Sequence, residues 1–385
     1  MKNILFIGMY PNNVNKYCNV FFQNLIFAIA DSGVNCTVIS PVPVTRYRGR
    51  TRLIPKETYH YTPKGNAVKV YYPRYCSASS KQILNFNTEH LSEYLFERSA
   101  MSVVQKLKDR FDAVYGHFFL YGGLAAIKAG QYLNIPSFFA YGECDFESQV
   151  YTTYGFPKSK QLEGLRGIIS VSTKNTNELN SLGIVKDIPI ITVPNATDLD
   201  LFEKMDKDEC REKMGIPSDK FIVGFVGGFI ERKGDKRLLA AANEIDDVYL
   251  AFAGRGTPAP SGDRVVFCKA LEHSEVSIFL NAVDVFCLPT LSEGSCNAVI
   301  EAMACGCPII SSNLPFNDDV LTEENSIRID PNSVSEIKEA IEIMKNNPSL
   351  REKFSQNALE TAKDLGIDRR AEKIVNFMSD IIKRA

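Results

Sequence analysis

Short apolar runs alternate with helix-length segments along the whole chain, and this alternation restricts the fold more than any other feature. In the first half the runs are residues 3–8, 36–40, 68–72, 113–117, 137–141, 168–171 and 190–193, separated by segments of helical character at 20–31, 90–108, 124–133 and 173–182. In the second half they are 221–227, 249–253, 265–268, 285–289, 308–311 and 326–329, with helical segments at 236–245, 274–282, 296–304, 333–344 and 349–364, and a last one at 368–384. Strands this rich in Val, Ile and Phe have apolar side chains on both faces. They predict parallel sheets covered by helices on both sides, the doubly wound α/β plan written twice. A chain of 385 residues is long enough for two such domains, each with its own core. In doubly wound sheets the ligand loops lie at the carboxyl ends of the strands, so two sheets facing each other would make a cleft for a small ligand.

Composition narrows the functional classes. Apolar residues make up 45% and charged residues 23%, an ordinary globular balance. The net charge of −2 argues against a nucleic-acid partner. No apolar run approaches the roughly 20 residues of a membrane span. The opening MKNILFIGMYPNN reads as a strand and not as a signal peptide. The ten cysteines are scattered, with only Cys305 and Cys307 close together, and four histidines complete no zinc spacing; reduced thiols and no metal are expected. Asn195-Ala196-Thr197 fits a glycosylation sequon that a chain without a secretory signal leaves unused. The stretch 194–202, PNATDLDLF, is the expected domain boundary, giving domains over 1–196 and 197–365 and a final helix over 366–385.

Residues 41–81 stand apart. Arg46, Arg48, Arg50, Arg52, Lys56, Lys64, Lys69, Arg74 and Lys81 face only Glu57, and six tyrosines and five prolines are interleaved. Either the segment is a solvated, strand-poor loop, or it is an electropositive surface for an anionic acceptor or for the headgroups of an anionic membrane, where each basic residue gains about 1 kcal/mol; a nucleic-acid surface is the third reading.

Three segments carry chemistry. In 283–312, VDVFCLPTLSEGSCNAVIEAMACGCPIISS, a buried strand ends at Pro289, a polar loop holds Glu293, and a helix follows that holds Glu301. At about 1.5 Å per residue Glu301 lies a turn or more inside the helix, while Glu293 sits ahead of it, on the rim of the crevice. The free N–H groups at the helix start, around Ser295, Cys296, Asn297 and Ala298, suit a diphosphate. The same Glu spacing recurs at Glu89/Glu97 and Glu352/Glu360 without that strand–loop–helix–strand context. In 221–237, FIVGFVGGFIERKGDKR, Gly227 and Gly228 let the backbone approach a ligand, and Lys233, with Arg232 beside it, is placed to neutralise a leaving diphosphate. In 113–123, AVYGHFFLYGG, His117 ends a strand beside a Gly-rich loop, and Glu143 and Asp145 follow the next strand as candidates for holding acceptor hydroxyls. Gly254-Arg255-Gly256-Thr257-Pro258-Ala259 fits the dinucleotide G-x-G-x-x-A, but Pro258 and Pro260 fall where the helix should run, so a loop beside the nucleotide is expected. Asp198-Leu199-Asp200 is assigned no metal. Neither G-x-S-x-G nor a P-loop occurs.

SEGSCNAVIEAMACGCPIISS resembles the signature of retaining nucleotide-sugar glycosyltransferases of family 4, which have the GT-B fold of two Rossmann-like domains. YPNNVNKYCNVFFQNLIFAIADSGVNCTVISP, YGHFFLYGGLAA, ISVST, VPNATDLDLF and GGFIERKG follow in the family's order, so the resemblance covers nearly the whole chain. It implies an acceptor-binding first domain, a nucleotide-sugar-binding second domain, and a C-terminal helix that packs back on the first. Glu293 would hold donor sugar hydroxyls, and Glu301 the ribose. Gly294, Ser295, Cys296 and Asn297 would hold sugar and diphosphate, Gly228 and Gly254 would lie along the nucleotide, and His117 beside the sugar or acceptor. Asn19 joins Glu143 and Asp145 on the acceptor side. The implied activity is metal-independent transfer of a hexose-type sugar from a UDP- or GDP-sugar to a glycan or lipid-linked hydroxyl with retention. No cofactor is implied beyond that donor. The setting would be cytoplasmic, peripheral on the inner face of the plasma membrane, in surface polysaccharide or glycolipid synthesis. The chain departs from the family at Gly228, where an Arg is common, at 9–19, where a glycine-pair loop is common, and at Glu143, where a His is common. A sugar-nucleotide 2-epimerase and a non-catalytic nucleotide-sugar binding module remain open as alternatives.

Overall fold

The computed structural model describes residues 1–47, 49–78, 81–83, 86–144, 162–181, 185 and 187–384. The chain forms two compact units, Met1–Val193 with Ile367–Ala385, and Pro194–Gly366.

The first unit is built on an eight-stranded sheet. Its strands are β1 (Asn3–Ile7), β2 (Asn35–Ile39), β3 (Glu57–Tyr61), β4 (Ala67–Tyr71), β5 (Ala113–His117), β6 (Ser137–Tyr141), β7 (Leu165–Ser170) and β8 (Ile190–Thr192), in the order β8-β7-β6-β5-β1-β2-β4-β3. Its helices are α1 (Val20–Asp31), α2 (Glu89–Val104), α3 (Leu124–Leu133) and α4 (Thr173–Ser181). The chain's last helix, Ile367–Arg384, also belongs here, with Ala371, Ile374 and Met378 in the same apolar cluster as Phe22, Leu25, Ile26 and Ile29 of α1. The period-2 alternation of β1 shows why both sheet faces need cover. Ile4 and Phe6 enter the cluster with α1, whereas Leu5 and Ile7 enter the one with Phe96 and Ala100 of α2 and Ala125 and Ala129 of α3. Seven strands pair in parallel. The edge strand β3 runs antiparallel to β4, with Glu57 opposite Tyr71 and Tyr61 opposite Ala67. The strand-poor alternative for 41–81 thus does not hold: besides the strand expected over 68–72 the segment holds β3, and it also pairs Val42 with Arg74 and Pro43 with Tyr75.

The second unit holds a six-stranded, all-parallel sheet. Its strands are β9 (Phe221–Val226), β10 (Val248–Ala253), β11 (Val265–Lys269), β12 (Val285–Leu288), β13 (Ile309–Ser312) and β14 (Ser326–Ile329), in the order β11-β10-β9-β12-β13-β14. Every residue of β12 and β13 is buried. The covering helices are α5 (Lys207–Met214), α6 (Asp235–Asn243), α7 (His273–Ala282), α8 (Asn297–Ala304), α9 (Val334–Asn346) and α10 (Pro348–Ala362). α5 went unread in the sequence, though Asp206 caps it by accepting from Glu209 N at 2.9 Å and Gly215 ends it. Among the parallel strands of each sheet the chain order reverses at one pair of neighbours, β1 and β5 in the first and β9 and β12 in the second. Connections leave such neighbours in opposite directions, so the carboxyl ends open into a crevice where ligands of doubly wound sheets bind.

Candidate functional site

The loops after β9 and β12 flank the crevice of the second unit and are zipped together. Leu291 N donates to Arg232 O at 2.8 Å, Arg237 Nη2 donates to Pro289 O at 3.0 Å, and an Arg232 guanidinium nitrogen donates to Ser292 O. Gly234 sits at φ +82°, and a Cβ there would lie 2.4 Å from Pro289 O, so only glycine lets the two loops meet.

This meeting creates a charge cluster. Glu293 Oε1 accepts from Lys233 Nζ at 2.6 Å, Arg232 Nη1 at 2.8 Å and Thr290 Oγ1 at 2.8 Å. Glu293 is buried, at 7% exposure, and not on the rim as its place ahead of the helix suggested. Two cations and a hydroxyl satisfy its charge there, as a buried carboxylate requires. Arg232, four residues beyond the arginine position occupied by Gly228, reaches this carboxylate. Burial works against the Lys233 ammonium, but the Cys296 and Glu293 charges outweigh it and raise its pKa above the ordinary value. Burial pushes the Cys296 thiol up to about 11, so at neutral pH Glu293 is the counter-charge that acts.

Helix α8 begins just after this cluster. Cys296 caps it, and Ile300 N donates back to Cys296 O at 3.2 Å, so the amides ahead of Ile300 have no carbonyl of the helix to donate to. The Asn297 side-chain oxygen is buried there without a hydrogen-bond partner among the described residues. Glu301, a turn further in, pairs with His273 Nε2 at 3.0 Å. Asn195 holds the loop from the other side, donating from its backbone N to Ser295 Oγ at 3.1 Å and from Nδ2 to Ser295 O at 3.0 Å. Sequence reading missed Asn195, Thr290 and His273. The first lies 100 residues from its partner, and no spacing announces such pairs.

The G-x-G-x-x-A segment is a loop with no helix after it. A Cβ on Gly254 would fall 1.8 Å from Gly227 O, and Phe229 N donates to Arg255 O at 2.8 Å. These glycines let two loops touch. Asp198 Oδ1 accepts from Asp200 N at 3.0 Å as a turn, and the described residues hold no group of three or more metal-ligating side chains.

The corresponding crevice of the first unit is lined by the loop after β1 and the turn after β5. Asn19 caps α1 at φ +48° and donates from Nδ2 to Met9 O at 3.1 Å. His117 stacks on Phe22 at 4.2 Å, and both its ring nitrogens are buried with no hydrogen-bond partner among the described residues. Burial, then the Arg370 charge, lowers its pKa to about 3, so the imidazole is neutral. The turn that follows holds Phe118 at φ +65° and Tyr121 at φ +60°, conformations that cost about 1–3 kcal/mol each. Glu143 braces it. Its Oε1 accepts from Phe119 N at 2.6 Å and its Oε2 from Gly142 N at 3.0 Å. Both oxygens thus have backbone partners, and Glu143 positions the turn beyond His117. Burial raises its pKa to about 7. Asp145 lies outside the described residues.

The family model of glycosyl transferases group 1 matches residues 206–361. A Bacillus subtilis (strain 168) protein named as a teichuronic acid biosynthesis glycosyltransferase, TuaC, is 26% identical over 361 residues, covering 89% of this chain and 88% of that one. The fold is that of sucrose-phosphate synthase from Thermosynechococcus elongatus, with TM-score 0.79, 19% identity and full coverage of both chains. It is also that of Anabaena Alr3699/HepE in complex with UDP-glucose, with TM-score 0.69, 15% identity, and 99% and 100% coverage. The matched segment runs from the cap of α5 to the last turn of α10 and carries both Glu293 and Glu301, so the second unit resembles the glycosyl transferases group 1 over that stretch, and the chain as a whole has the GT-B fold.

Proposed function

We propose that the protein transfers a hexose-type sugar from a UDP- or GDP-sugar to a hydroxyl of a glycan or lipid-linked acceptor, with retention and without a metal, in surface polysaccharide or glycolipid synthesis. The observation that carries this reading is the convergence of Glu293, Lys233, Arg232 and the start of α8 at the strand reversal of the second unit. The likeness to TuaC and to a UDP-glucose-bound structure supports it.

In this reading the donor's diphosphate lies on the amides of the first turn of α8, where the helix dipole favours negative charge. Glu301 accepts from the ribose hydroxyls and Glu293 from the sugar hydroxyls. As the glycosidic bond breaks, charge builds on the leaving phosphate, and Lys233, held in place by Glu293, stabilises it. His117, whose ring nitrogens have no hydrogen-bond partner among the described residues, serves the acceptor. Glu143 is occupied by backbone donors, so we assign it no nucleophilic role and read the reaction as front-face displacement. Catalysis is then positioning plus electrostatic stabilisation of an oxocarbenium-like centre.

The exposed Arg46, Arg50, Arg52 and Lys56, with Leu53, Tyr59 and Tyr61 also exposed, support peripheral contact with an anionic membrane at its cytoplasmic face. No helix among the described residues is long and apolar enough to cross one.

A donor screen tests the reading. UDP- and GDP-sugars are tried for a rise in melting temperature, since a ligand at 100 times its Kd adds about 2.7 kcal/mol to the folded state. Acceptor products are then weighed by mass spectrometry. Nucleotide release with a heavier acceptor, lost in Glu301→Ala, supports transfer. Interconversion of the donor alone would show an epimerase, and binding without turnover a binding module.

A further inference from the structure

His273 is the first residue of α7, whose start is fixed by the reciprocal Glu272–Glu275 capping box. Its ring lies edge-on to Phe202, with centroids 5.1 Å apart, and its Nε2 meets Glu301 Oε1 at 3.0 Å. A carboxylate only accepts, so Nε2 carries the proton of this bond. The other charge facing the ring is Asp198, from the segment that opens the second unit. The Cys296 and Cys305 thiols near Glu301 are pushed up by burial to about 11 and about 12 and stay neutral. Burial works against the imidazolium, but Glu301 and then Asp198 outweigh it, and the His273 pKa rises above its ordinary value. Three separate elements thus converge on one side chain whose only described hydrogen bond fixes the rotamer of Glu301.

We propose that His273 is the positioning residue that aims Glu301 at the ribose diol and so makes the protein discriminate ribonucleotide from deoxyribonucleotide donors. The proposal rests on the reading that Glu301 holds the ribose. With one oxygen anchored to an imidazole, the carboxylate cannot swing, and its remaining lone pairs stand where a cis-diol can donate to them. A free carboxylate on α8 would sample several rotamers and hold the diol in only some. A site built to accept from a hydroxyl rejects the analogue that lacks it, because the acceptor is then left unpaired.

The test is calorimetric titration of the full-length protein with UDP, 2′-deoxy-UDP, GDP and 2′-deoxy-GDP. For the base that binds tighter, the wild type should prefer the ribonucleotide by about tenfold or more, and Glu301→Ala should abolish that preference. His273→Leu should reduce it to threefold or less by weakening the ribonucleotide while leaving the deoxyribonucleotide within about twofold. His273→Gln, whose amide nitrogen can replace Nε2, should restore most of it. A merely structural histidine would weaken both nucleotides together. If His273→Leu melts at a much lower temperature, His273→Asn, which cannot reach Glu301, takes its place. Wild-type discrimination in the Leu or Asn variant, with discrimination lost in Glu301→Ala, overturns the His273 proposal alone. Discrimination retained in Glu301→Ala overturns the ribose reading beneath it.

Discussion

Removing the charge of Lys233 probes the site at its most strongly coupled point. The ammonium lies 2.6 Å from Glu293 Oε1, and the two side chains are 16% and 9% exposed. With an effective dielectric near 20, Coulomb's law gives about 6 kcal/mol of attraction at that distance, much of it offset by desolvation of both charges. Arg232 Nη1 at 2.8 Å and Thr290 Oγ1 at 2.8 Å stay on the same oxygen, so the carboxylate is not left bare. We expect Lys233→Met to cost about 2–3 kcal/mol in urea unfolding followed by circular dichroism. Glu293→Gln, which leaves two cations side by side, should cost a similar amount. The double variant should lose about 1–2 kcal/mol less than the sum, because the second substitution removes a partner already missing. In a transfer assay, Lys233→Met should lower kcat by about 10²–10³ with a smaller change in KM, as for loss of a donor that acts on developing charge. Strict additivity of the two unfolding costs, or a kcat within threefold of wild type, would refute the claim that this pair is built to steady the leaving group.

Three other outcomes are expected. Gly254→Ala puts a Cβ 1.8 Å from Gly227 O, so the loops must part; the melting temperature should fall and nucleotide affinity drop at least about tenfold, whereas unchanged affinity would show that this loop contact does not shape the site. Burial raises the Glu143 pKa to about 7, so the stability linked to its proton is complete below about pH 4.5 and is lost as pH rises through 7; relative to Glu143→Gln, the wild type should lose about 3 kcal/mol between pH 4.5 and 8 in urea unfolding, and parallel pH curves would contradict this. Flotation with vesicles containing anionic lipid should carry the wild type, while serine at Arg46, Arg50, Arg52 and Lys56 together should weaken binding at least about tenfold; indifference to lipid charge removes the membrane proposal.

The strands were legible because parallel strands buried on both faces are nearly unbroken apolar runs, as 285–288 and 309–312 show. β3 was not, because an edge strand exposes alternate residues and Glu57, Tyr59 and Tyr61 carry no apolar signal. α5 was missed for a related reason: within KDECREKM only Cys210 and Arg211 are buried, so its helical period is hidden in charge. In the site, Glu293 and Glu301 could be read because strand, loop and helix are contiguous. The burial of Glu293 could not, since it depends on cations brought by a loop whose Arg232 lies 61 residues away. The clamp of Asn195 on Ser295 and the bond of His273 to Glu301 likewise exist only once distant segments converge.

In the proposed function, the crevice between the loops after β9 and β12 holds an activated sugar by its diphosphate and ribose. A crystal structure with UDP or GDP bound should then show phosphate oxygens on the first-turn amides of α8 and beside Lys233, with the ribose hydroxyls donating to Glu301. A nucleotide bound elsewhere, or a ribose turned away from Glu301, would contradict it.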